Sequence, residues 1–352
     1  MRIVRCSFHR SRLWQPLAYV VCGEARCEGV TGGDIIFTHI LAPLDGSRLA
    51  ECVLPHAVAL ARGFDARLTV LHVIEPRPDG DDAAVDPLDW EMRKAEAEAY
   101  LDTVEDRLRG TDVDVEIEIL EGRAAESIVA CVKERDVNLL VLSSHGSSGL
   151  TRWNVSSVTQ KVILDAPTSL LLVRAYEVEA PEPTALRYTR ILAPLDGSQR
   201  AECVLAGIDH LAGYYDAAIY LVHVVRRPEM PRNMPRSEKE EELYAEVTAR
   251  NRTVARTYLE QVQGRLTNKS TVRLEESDDA TYTLHELAEE YAVDLVVLGA
   301  HGYSGSPKWP YGSVTTSFIT YSSKPLLIVQ DIAPSEIEPT PAQRAARQKA
   351  GH

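Results

Sequence analysis

The sequence "ILAPLDGSRLAECVL" at residues 40–54 returns almost unchanged as "ILAPLDGSQRAECVL" at residues 191–205. Beyond these copies the identity fades, but the order of patterns persists. "VNLLVLSSHGSSG" at 137–149 corresponds to "VDLVVLGAHGYSG" at 293–305, and "SLLLVRA" at 169–175 to "PLLIVQD" at 325–331. A duplicated unit of about 140 residues is too long for a solenoid repeat and suits a domain. The sequence therefore predicts two tandem domains.

Within each unit, short apolar runs alternate with segments of helical period, which indicates an α/β fold with a parallel sheet and helices on both faces. Five strands joined by right-handed crossovers favour an open, doubly wound sheet with the strand order 3-2-1-4-5. In the second unit we expect strands at 190–196, 218–225, 271–277, 293–300 and 325–330, and helices at 200–213, 238–266, 281–292 and 313–322. The first unit follows the same plan, with a long acidic helix at 86–110.

The loops after strands 1 and 4 are the first place to look for a ligand site. In the order 3-2-1-4-5 these strands are neighbours, and the winding reverses between them. Open α/β sheets bind ligands in the crevice at such a point, at the carboxyl ends of the strands. In the second unit the two loops are "PLDGS" at 194–198 and the glycine-rich "GAHGYSGSPKWPYGSV" at 299–314. Both fall on one crevice.

Asp196 follows strand 1 directly, and its carboxylate can accept hydrogen bonds from ribose hydroxyls or an adenine amino group. Pro194 and Leu195 offer apolar surface to a base. The alternative is that "DGS" is simply a turn, with Asp at its start and Gly for its backbone angles.

The glycine-rich loop suits a phosphate chain. Gly299 and Gly302 let backbone approach a ligand closely, and Gly312 and Ser313 stand where the next helix begins. The free N–H groups and the positive dipole end of a helix start favour phosphate oxygens. The alternative is a flexible connection that ends in a helix cap.

Composition narrows the class of protein. The 352 residues carry a formal charge of −14, with no apolar run near 18 residues, which argues against nucleic acid or a membrane as a main partner. Six cysteines form no C-x-x-C pair and no Cys/His cluster, so we expect reduced thiols, no metal site and a cytoplasmic protein. We expect a poorly ordered extension at 1–33, a linker at 176–187 and a flexible tail at 332–352.

With these motifs, the chain resembles the universal stress proteins in tandem form, over residues 34–175 and 188–331. The ATP-binding branch of that family carries G-x-x-G-x9-G-[ST] after strand 4 and an Asp after strand 1. Gly299, Gly302, Gly312 and Ser313 match the first pattern and Asp196 the second.

The resemblance implies a Rossmann-like fold of the adenine nucleotide alpha hydrolase type that holds ATP, with Mg²⁺, in the second domain. The base would lie near Pro194, Leu195 and Val224, and the ribose near Asp196 and Gly299. The phosphates would lie on Gly302, Gly312, Ser313 and Val314. His301 completes the expected cofactor-binding set, although a histidine there is more often a loop-packing residue. The resemblance also implies that the domains pair through their last strands within one chain, and that chains form a further homodimer.

The first unit departs from the pattern. Ser143 and Ser156 stand where the first and third glycines would be, while Gly146 and Ser157 match. A side chain at 143 would crowd a ribose. We therefore predict weak or no ATP binding there, with Asp45, Val73, Gly146 and Ser157 as the weaker counterparts of the second site.

Three functions remain open from the sequence. The first is a nucleotide-binding stress or regulatory protein with at most slow ATP hydrolysis and no catalytic residues. The second is an ATP-using enzyme, although "PLDGSQRAE" is not S-G-G-x-D-S and no G-x-x-x-x-G-K-[ST] is present. The third is a structural or adaptor protein whose sites no longer bind.

Overall fold

The computed structural model describes residues 3–6, 37–76, 87–145, 155–175, 182–226, 237–303 and 310–331. The strands are β1 Ile3–Cys6, β2 His39–Leu44, β3 Arg67–Ile74, β4 Val115–Glu121, β5 Leu139–Ser143, β6 Ser169–Val173, β7 Arg190–Pro194, β8 Ala218–Arg226, β9 Ser270–Ser277, β10 Leu295–Gly299 and β11 Leu326–Val329. The helices are α1 Val53–Phe64, α2 Pro87–Leu108, α3 Ala124–Glu134, α4 Ser157–Asp165, α5 Leu205–Tyr215, α6 Glu238–Gln263, α7 Ala280–Glu290 and α8 Ser313–Tyr321. Short 3-10 turns, Ala50–Cys52 and Ala201–Val204, lead into α1 and α5.

The strand order of both domains confirms the sequence prediction. The sheet runs β1-β4-β3-β2-β5-β6-β11-β10-β7-β8-β9, which is 3-2-1-4-5 in the first domain and its reverse in the second. The last strands of the domains, β6 and β11, pair antiparallel, with Leu171 opposite Leu327. The two five-stranded sheets are therefore parts of one continuous sheet, joined within one chain.

Part of the N-terminal extension that we predicted to be poorly ordered, residues 1–33, forms a strand. Ile3–Cys6 form β1, which pairs antiparallel with β4 from Ile3 opposite Ile119 to Cys6 opposite Glu116. Without β1 the outer edge of β4 would leave a row of backbone groups unpaired, and an extended segment satisfies them. The rest of that extension, residues 176–181 of the linker and the tail at 332–352 lie outside the described residues.

Helices cover both faces of the sheet, as the alternation of patterns predicted. One core layer lies between the sheet and α1, α2, α5 and α6, and includes Leu101 and Leu259. The other lies under α3, α4, α7 and α8, and includes Val162 and Phe318. Both layers run through the two domains, so burial of apolar surface stabilises the pair as well as each half.

The ends of several helices follow from local chemistry. Ser237 and Glu240 form a capping box at the start of α6, in which each side chain accepts from the other's backbone N–H. The matching helices α1 and α5 end at Asp65 and Asp216, whose φ angles are 53° and 54°. Aspartate tolerates this left-handed conformation, which ends the helix and turns the chain into the next strand.

The two domains exchange contacts at the ends of α4 and α8. Arg174, which follows β6 and is buried, donates from Nε to the carbonyl of Ser322 at 2.9 Å, just beyond the end of α8. In the other direction, the hydroxyl of Tyr311 donates to the carbonyl of Ile163 in α4 at 3.0 Å. Since Tyr311 directly precedes Gly312, the start of α8 is held by the first domain.

Candidate functional site

A cavity of about 370 Å³ opens at the carboxyl ends of β7 and β10, where the winding of the second domain reverses. Its size lies within the range of small-molecule sites. All ten residues predicted from the sequence line it: Pro194, Leu195, Asp196, Val224, Gly299, His301, Gly302, Gly312, Ser313 and Val314. Residues 304–309 of the glycine-rich loop lie outside the described residues.

Asp196 joins the two loops that face each other across this cavity. Its Oδ1 accepts from the backbone N–H of Ser198 at 3.0 Å and from the Ser198 hydroxyl at 2.6 Å, which closes the turn expected for "DGS". Gly197, with φ at 85°, supplies the left-handed angle that this turn needs. Oδ2 accepts from the backbone N–H of Tyr303 at 2.5 Å, across the crevice. The Asp196 carboxylate thus closes the turn with one oxygen and contacts the opposite loop of the cavity with the other.

Gly302 lies against that carboxylate. A Cβ atom at this position would lie 2.1 Å from Oδ2 of Asp196, far inside van der Waals contact. At Gly299 a Cβ would lie 3.2 Å from the carbonyl oxygens of Arg200 and His301, a tight but less severe approach. The absence of a side chain at Gly302 is what allows the loop after strand 4 to reach Asp196.

The start of α8 has donors to offer. Gly312 is its N-cap residue and provides no side-chain hydrogen bond to the first turn. The first N–H groups of a helix have no partner within the helix, and its dipole makes this end positive. Ser313, Val314 and Thr315 line the cavity. This end of α8 can therefore receive an anion.

The wall beside the middle of β8 is mostly apolar and suits a flat ring, while Arg226, at the exposed end of β8, adds a positive charge to the lining. Val222, Val224, Leu284 and Leu298 line it. His223 also lines it, and its Nδ1 donates to the carbonyl of Leu195 at 2.7 Å. Burial lowers the pKa of His223, so the ring stays neutral and fixes the loop after strand 1.

A buried carboxylate, that of Asp331, lies behind the glycine-rich loop. Oδ1 of Asp331, a residue that follows β11 and is 1% exposed in its side chain, accepts from His301 Nδ1 at 2.8 Å and from its backbone N–H at 3.2 Å. Arg200 Nε, from the loop after strand 1, lies 3.7 Å from Oδ2 of Asp331. Asp331 thus bridges the two loops, and the His301 ring is turned to it.

Several of these residues were not predicted from the sequence. Asp331, Arg200 and His223 lie far apart in the chain, and no spacing pattern connects them. Tyr303 contributes its backbone N–H, which any residue type could supply. The one signal available in the sequence was an acid close after a short apolar run, as Asp331 is, because an acid that becomes buried there needs a partner.

The family model described as the universal stress protein family matches residues 37–174 and again residues 187–330. The chain belongs to the universal stress protein family. A universal stress protein of Methanocaldococcus jannaschii is 27% identical over 151 residues, which are 41% of this chain and 86% of that protein. A putative universal stress protein of Staphylococcus aureus is 31% identical over 149 residues, which are 42% of this chain and 89% of that protein.

Solved structures agree on the tandem universal stress protein fold. A universal stress protein from Archaeoglobus fulgidus has a TM-score of 0.59 and 16% identity, and the match covers 84% of this chain and 98% of that one. A functionally unknown protein from Pseudomonas aeruginosa has a TM-score of 0.63 and 15% identity, with coverage of 89% and 98%. Identities this low support the fold alone.

The first universal stress protein domain has a different site. Its cavity of about 630 Å³ is lined by Asp45, Val73 and Ser157, while Gly146 lies outside the described residues. The Asp45 carboxylate makes the same turn as Asp196, with Ser47 N at 3.0 Å and Ser47 Oγ at 2.6 Å.

The helix start in this first domain is already capped. Ser156 Oγ accepts from the backbone N–H of Thr159 at 3.1 Å, so one donor of α4 is taken. Ser143 Oγ donates to the carbonyl of His145 at 2.8 Å. Leu49 and Ala175 stand where Arg200 and Asp331 stand in the second domain, so the bridge between the loops is missing.

Three further observations concern metal ligands, thiols and membrane-spanning helices among the described residues. In the part of the chain that the structure describes, no three His, Cys, Asp or Glu side chains are grouped as metal ligands. Burial raises the pKa of the Cys52 and Cys203 thiols to about 12, so both stay protonated and unreactive near neutral pH. None of the described helices is long and apolar enough to cross a bilayer.

Proposed function

We propose that the second domain binds ATP, with Mg²⁺, and that the chain acts in the cytoplasm as a nucleotide-dependent stress-response protein. The observation that carries this is the approach of Gly302 to Asp196 beside the uncapped start of α8. Such an arrangement places a carboxylate for a ribose next to free amides for phosphates.

The lining of the cavity supports one orientation of the proposed ligand. The base would lie on the apolar wall at Val222, Val224 and Leu284, with the ribose at Asp196 and the phosphates at Gly312, Ser313 and Val314. The amides of Ser313 and Val314 would donate to the phosphates, since that of Gly312 already donates to the carbonyl of Ala300 at 2.8 Å. A carboxylate has about four lone-pair sites, so Asp196 can accept from a ribose hydroxyl while it keeps Ser198 and Tyr303.

The residues favour ATP as a ligand over ATP as a substrate. Fast phosphoryl transfer needs positioned metal ligands, a clamp of positive charge and a positioned nucleophile. Among the described residues of this cavity, Asp196 is the one carboxylate, and its two oxygens hold the loops. Arg226 is the one arginine or lysine among them, and a single cation is not a clamp. Mg²⁺ would be carried mainly by phosphate oxygens and water. We therefore expect at most slow hydrolysis.

The first domain is proposed to bind ATP weakly or not at all. The capped α4 and the missing Arg–Asp bridge set it apart from the second domain. If the second domain behaved in the same way, the chain would be an adaptor, which is the second candidate function. A homodimer of the chain is a further part of the proposal.

A titration series of the nucleotide-stripped chain tests this function. Calorimetry with Mg-ATP, Mg-ADP, AMP and adenosine should show affinity falling as phosphates are removed, by tenfold or more from ATP to adenosine. Equal affinity for ATP and adenosine would contradict a role for α8, and no binding of any of the four would favour the adaptor. A phosphate-release assay in parallel should show slow turnover. Rapid turnover that Asp196→Ala abolishes would support the enzyme instead.

A further inference from the structure

The outermost strand of the second domain, β9, leaves one edge without a strand partner among the described residues. It pairs with β8 from Ile219 opposite Ser270 to Arg226 opposite Ser277. Its counterpart in the first domain, β4, carries the antiparallel strand β1 on the same edge. The two outer strands of the sheet therefore differ, and β4 shows that the fold can carry an antiparallel strand on this edge.

The backbone of β9 fixes which residues can pair outward. Ile219 N donates to the carbonyl of Lys269, so Lys269 faces β8. Since alternate residues of a strand direct their backbone groups to the same side, Thr271, Arg273 and Glu275 also face β8. Ser270, Val272, Leu274 and Glu276 direct their backbone groups to the open edge. The Ser270 carbonyl there accepts from Nε2 of Gln263 at 2.7 Å, so the pairing argued below uses Val272, Leu274 and Glu276.

The first domain supports this alternation. Leu68 N donates to the carbonyl of Asp114 at the matching place. By the same rule, Ile117 and Ile119 face outward, and they stand opposite Arg5 and Ile3 of β1. By alignment of the repeats, Ile119 corresponds to Leu274.

The charges of β9 are self-complementary. Arg273 and Glu275 lie on one face of the strand, with Nε and Oε1 2.5 Å apart and both side chains partly exposed. When an antiparallel copy pairs about a two-fold axis at Leu274, Arg273 of each copy lies opposite Glu275 of the other. Axes at Val272 or Glu276 also satisfy the backbone but leave Arg273 without that acid opposite. Axes at Arg273 or Glu275 satisfy it too but place two like charges opposite each other. Backbone and charge together select one register.

We propose that β9 is a homodimer interface, in which two copies of this chain join antiparallel about Leu274 into one sheet. The side chains of Val272 and Leu274 pack toward α6, so the joined sheet keeps its apolar layer. This inference rests on the proposed homodimer and is independent of nucleotide binding, because neither Arg273 nor Glu275 lines the cavity.

Charge reversal gives a test with its own rescue. Arg273→Glu places Glu opposite Glu275, and Glu275→Arg places Arg opposite Arg273, so each variant alone should be at least tenfold weaker as a dimer. In an equimolar mixture one chain carries two acids and the other two arginines. The mixture should therefore form a heterodimer, and the double variant R273E/E275R should dimerise like the wild type. Lys239→Glu, the same charge reversal on the exposed first turn of α6, is the matched control and should leave the dimer as stable as in the wild type.

Size-exclusion chromatography with light scattering, followed by native mass spectrometry of the mixture, reads the result. Loss of the dimer in each single variant with recovery in the mixture supports the interface. A wild-type chain that is monomeric at tens of micromolar overturns the proposed interface. A dimer that survives both single reversals also overturns it, because such a dimer uses another surface, for example β1 of a second copy. Titration of each variant with Mg-ATP tests nucleotide binding separately. Loss of the dimer with unchanged ATP binding would show that the interface and the nucleotide site are independent.

Discussion

Gly302 and Asp196 approach so closely that a Cβ on the glycine would lie 2.1 Å from Oδ2 of the aspartate. They come from the loops after strands 4 and 1 of the second domain, so this contact joins the two walls of the cavity. The backbone N–H of Tyr303 completes it with a 2.5 Å hydrogen bond to the same oxygen. The geometry of the site therefore depends on the absence of a single methyl group.

Gly302→Ala should weaken ATP binding at least tenfold, about 1.4 kcal/mol, because the new Cβ displaces Asp196 from the place where a ribose would lie. Calorimetry of the stripped variant measures the loss. Gly207→Ala, at a helical glycine whose Cβ would meet nothing within 4 Å, is the control and should bind ATP normally. ATP affinity unchanged in Gly302→Ala would mean that the contact has no part in binding.

Gly312→Ser should separate helix stability from ligand affinity. The φ of Gly312 is −71°, and the nearest atoms to a Cβ there would be 3.7 Å away, so serine fits. Its hydroxyl would cap α8 as Ser156 caps α4, which competes with phosphate for the same donors. We expect weaker ATP binding by about threefold to tenfold with unchanged adenosine binding and an unfolding midpoint no lower than the wild type.

The reverse outcome for this variant is equally clear. If Gly312→Ser bound ATP as tightly as the wild type, the uncapped end of α8 would not be the phosphate site. A parallel change, Ser156→Gly, should cost the first domain only a few tenths of a kcal/mol, since glycine is also a fair N-cap residue.

Asp331→Ala should weaken ATP binding about tenfold and lower the free energy of unfolding by about 1–3 kcal/mol, because His301 loses its buried acceptor and Arg200 loses the carboxylate 3.7 Å from its Nε. Asp331→Asn keeps an acceptor for His301 and should have a smaller effect on both. Calorimetry and urea unfolding measure the two effects. A destabilised variant with normal ATP affinity would show that Asp331 supports the fold and not the loops of the site.

His56 should make the contact between the domains sensitive to acid. Its Nδ1 lies 2.9 Å from the hydroxyl of Tyr188, and burial lowers its pKa from 6.5 to about 4. Because the unfolded chain binds this proton first, stability is full above pH 6.5 and falls as the pH drops toward 4. The loss is at most about 3 kcal/mol.

Urea unfolding at several pH values between 4 and 7 measures this effect. The variant His56→Gln, which retains a hydrogen-bonding side chain without a titratable ring, should lose part of the slope of stability with pH. The same slope in both proteins would assign the acid sensitivity to other groups.

The sequence was sufficient for most of the fold because its signals are local. Apolar runs of strand length, helical periodicity and the repeat each depend on neighbouring residues, and the elements of the second domain begin and end close to the predicted residues. The strand β1 escaped prediction because four residues without flanking turn signals do not identify a strand. Only the open edge of β4, a long-range feature, gives Ile3–Cys6 a partner.

The residues of the candidate site also fall into two groups, those that local sequence patterns identify and those that only contacts between distant segments identify. Asp196 and the glycines carry their role in their residue type and spacing, so the sequence could propose them. Asp331, Arg200 and His223 act through contacts between distant segments, and their residue types admit many other roles. The difference between the two domains was partly visible as Ser143 and Ser156. The reason for it, a helix end that one serine caps, required the structure.

The most direct test of the account is the stoichiometry of Mg-ATP binding to the nucleotide-stripped, full-length chain by calorimetry. We predict one site per chain, lost in Gly302→Val and in Asp196→Ala and retained in Asp45→Ala. Two sites per chain, or one site that survives Asp196→Ala and is lost in Asp45→Ala, would contradict the assignment of ATP to the second domain.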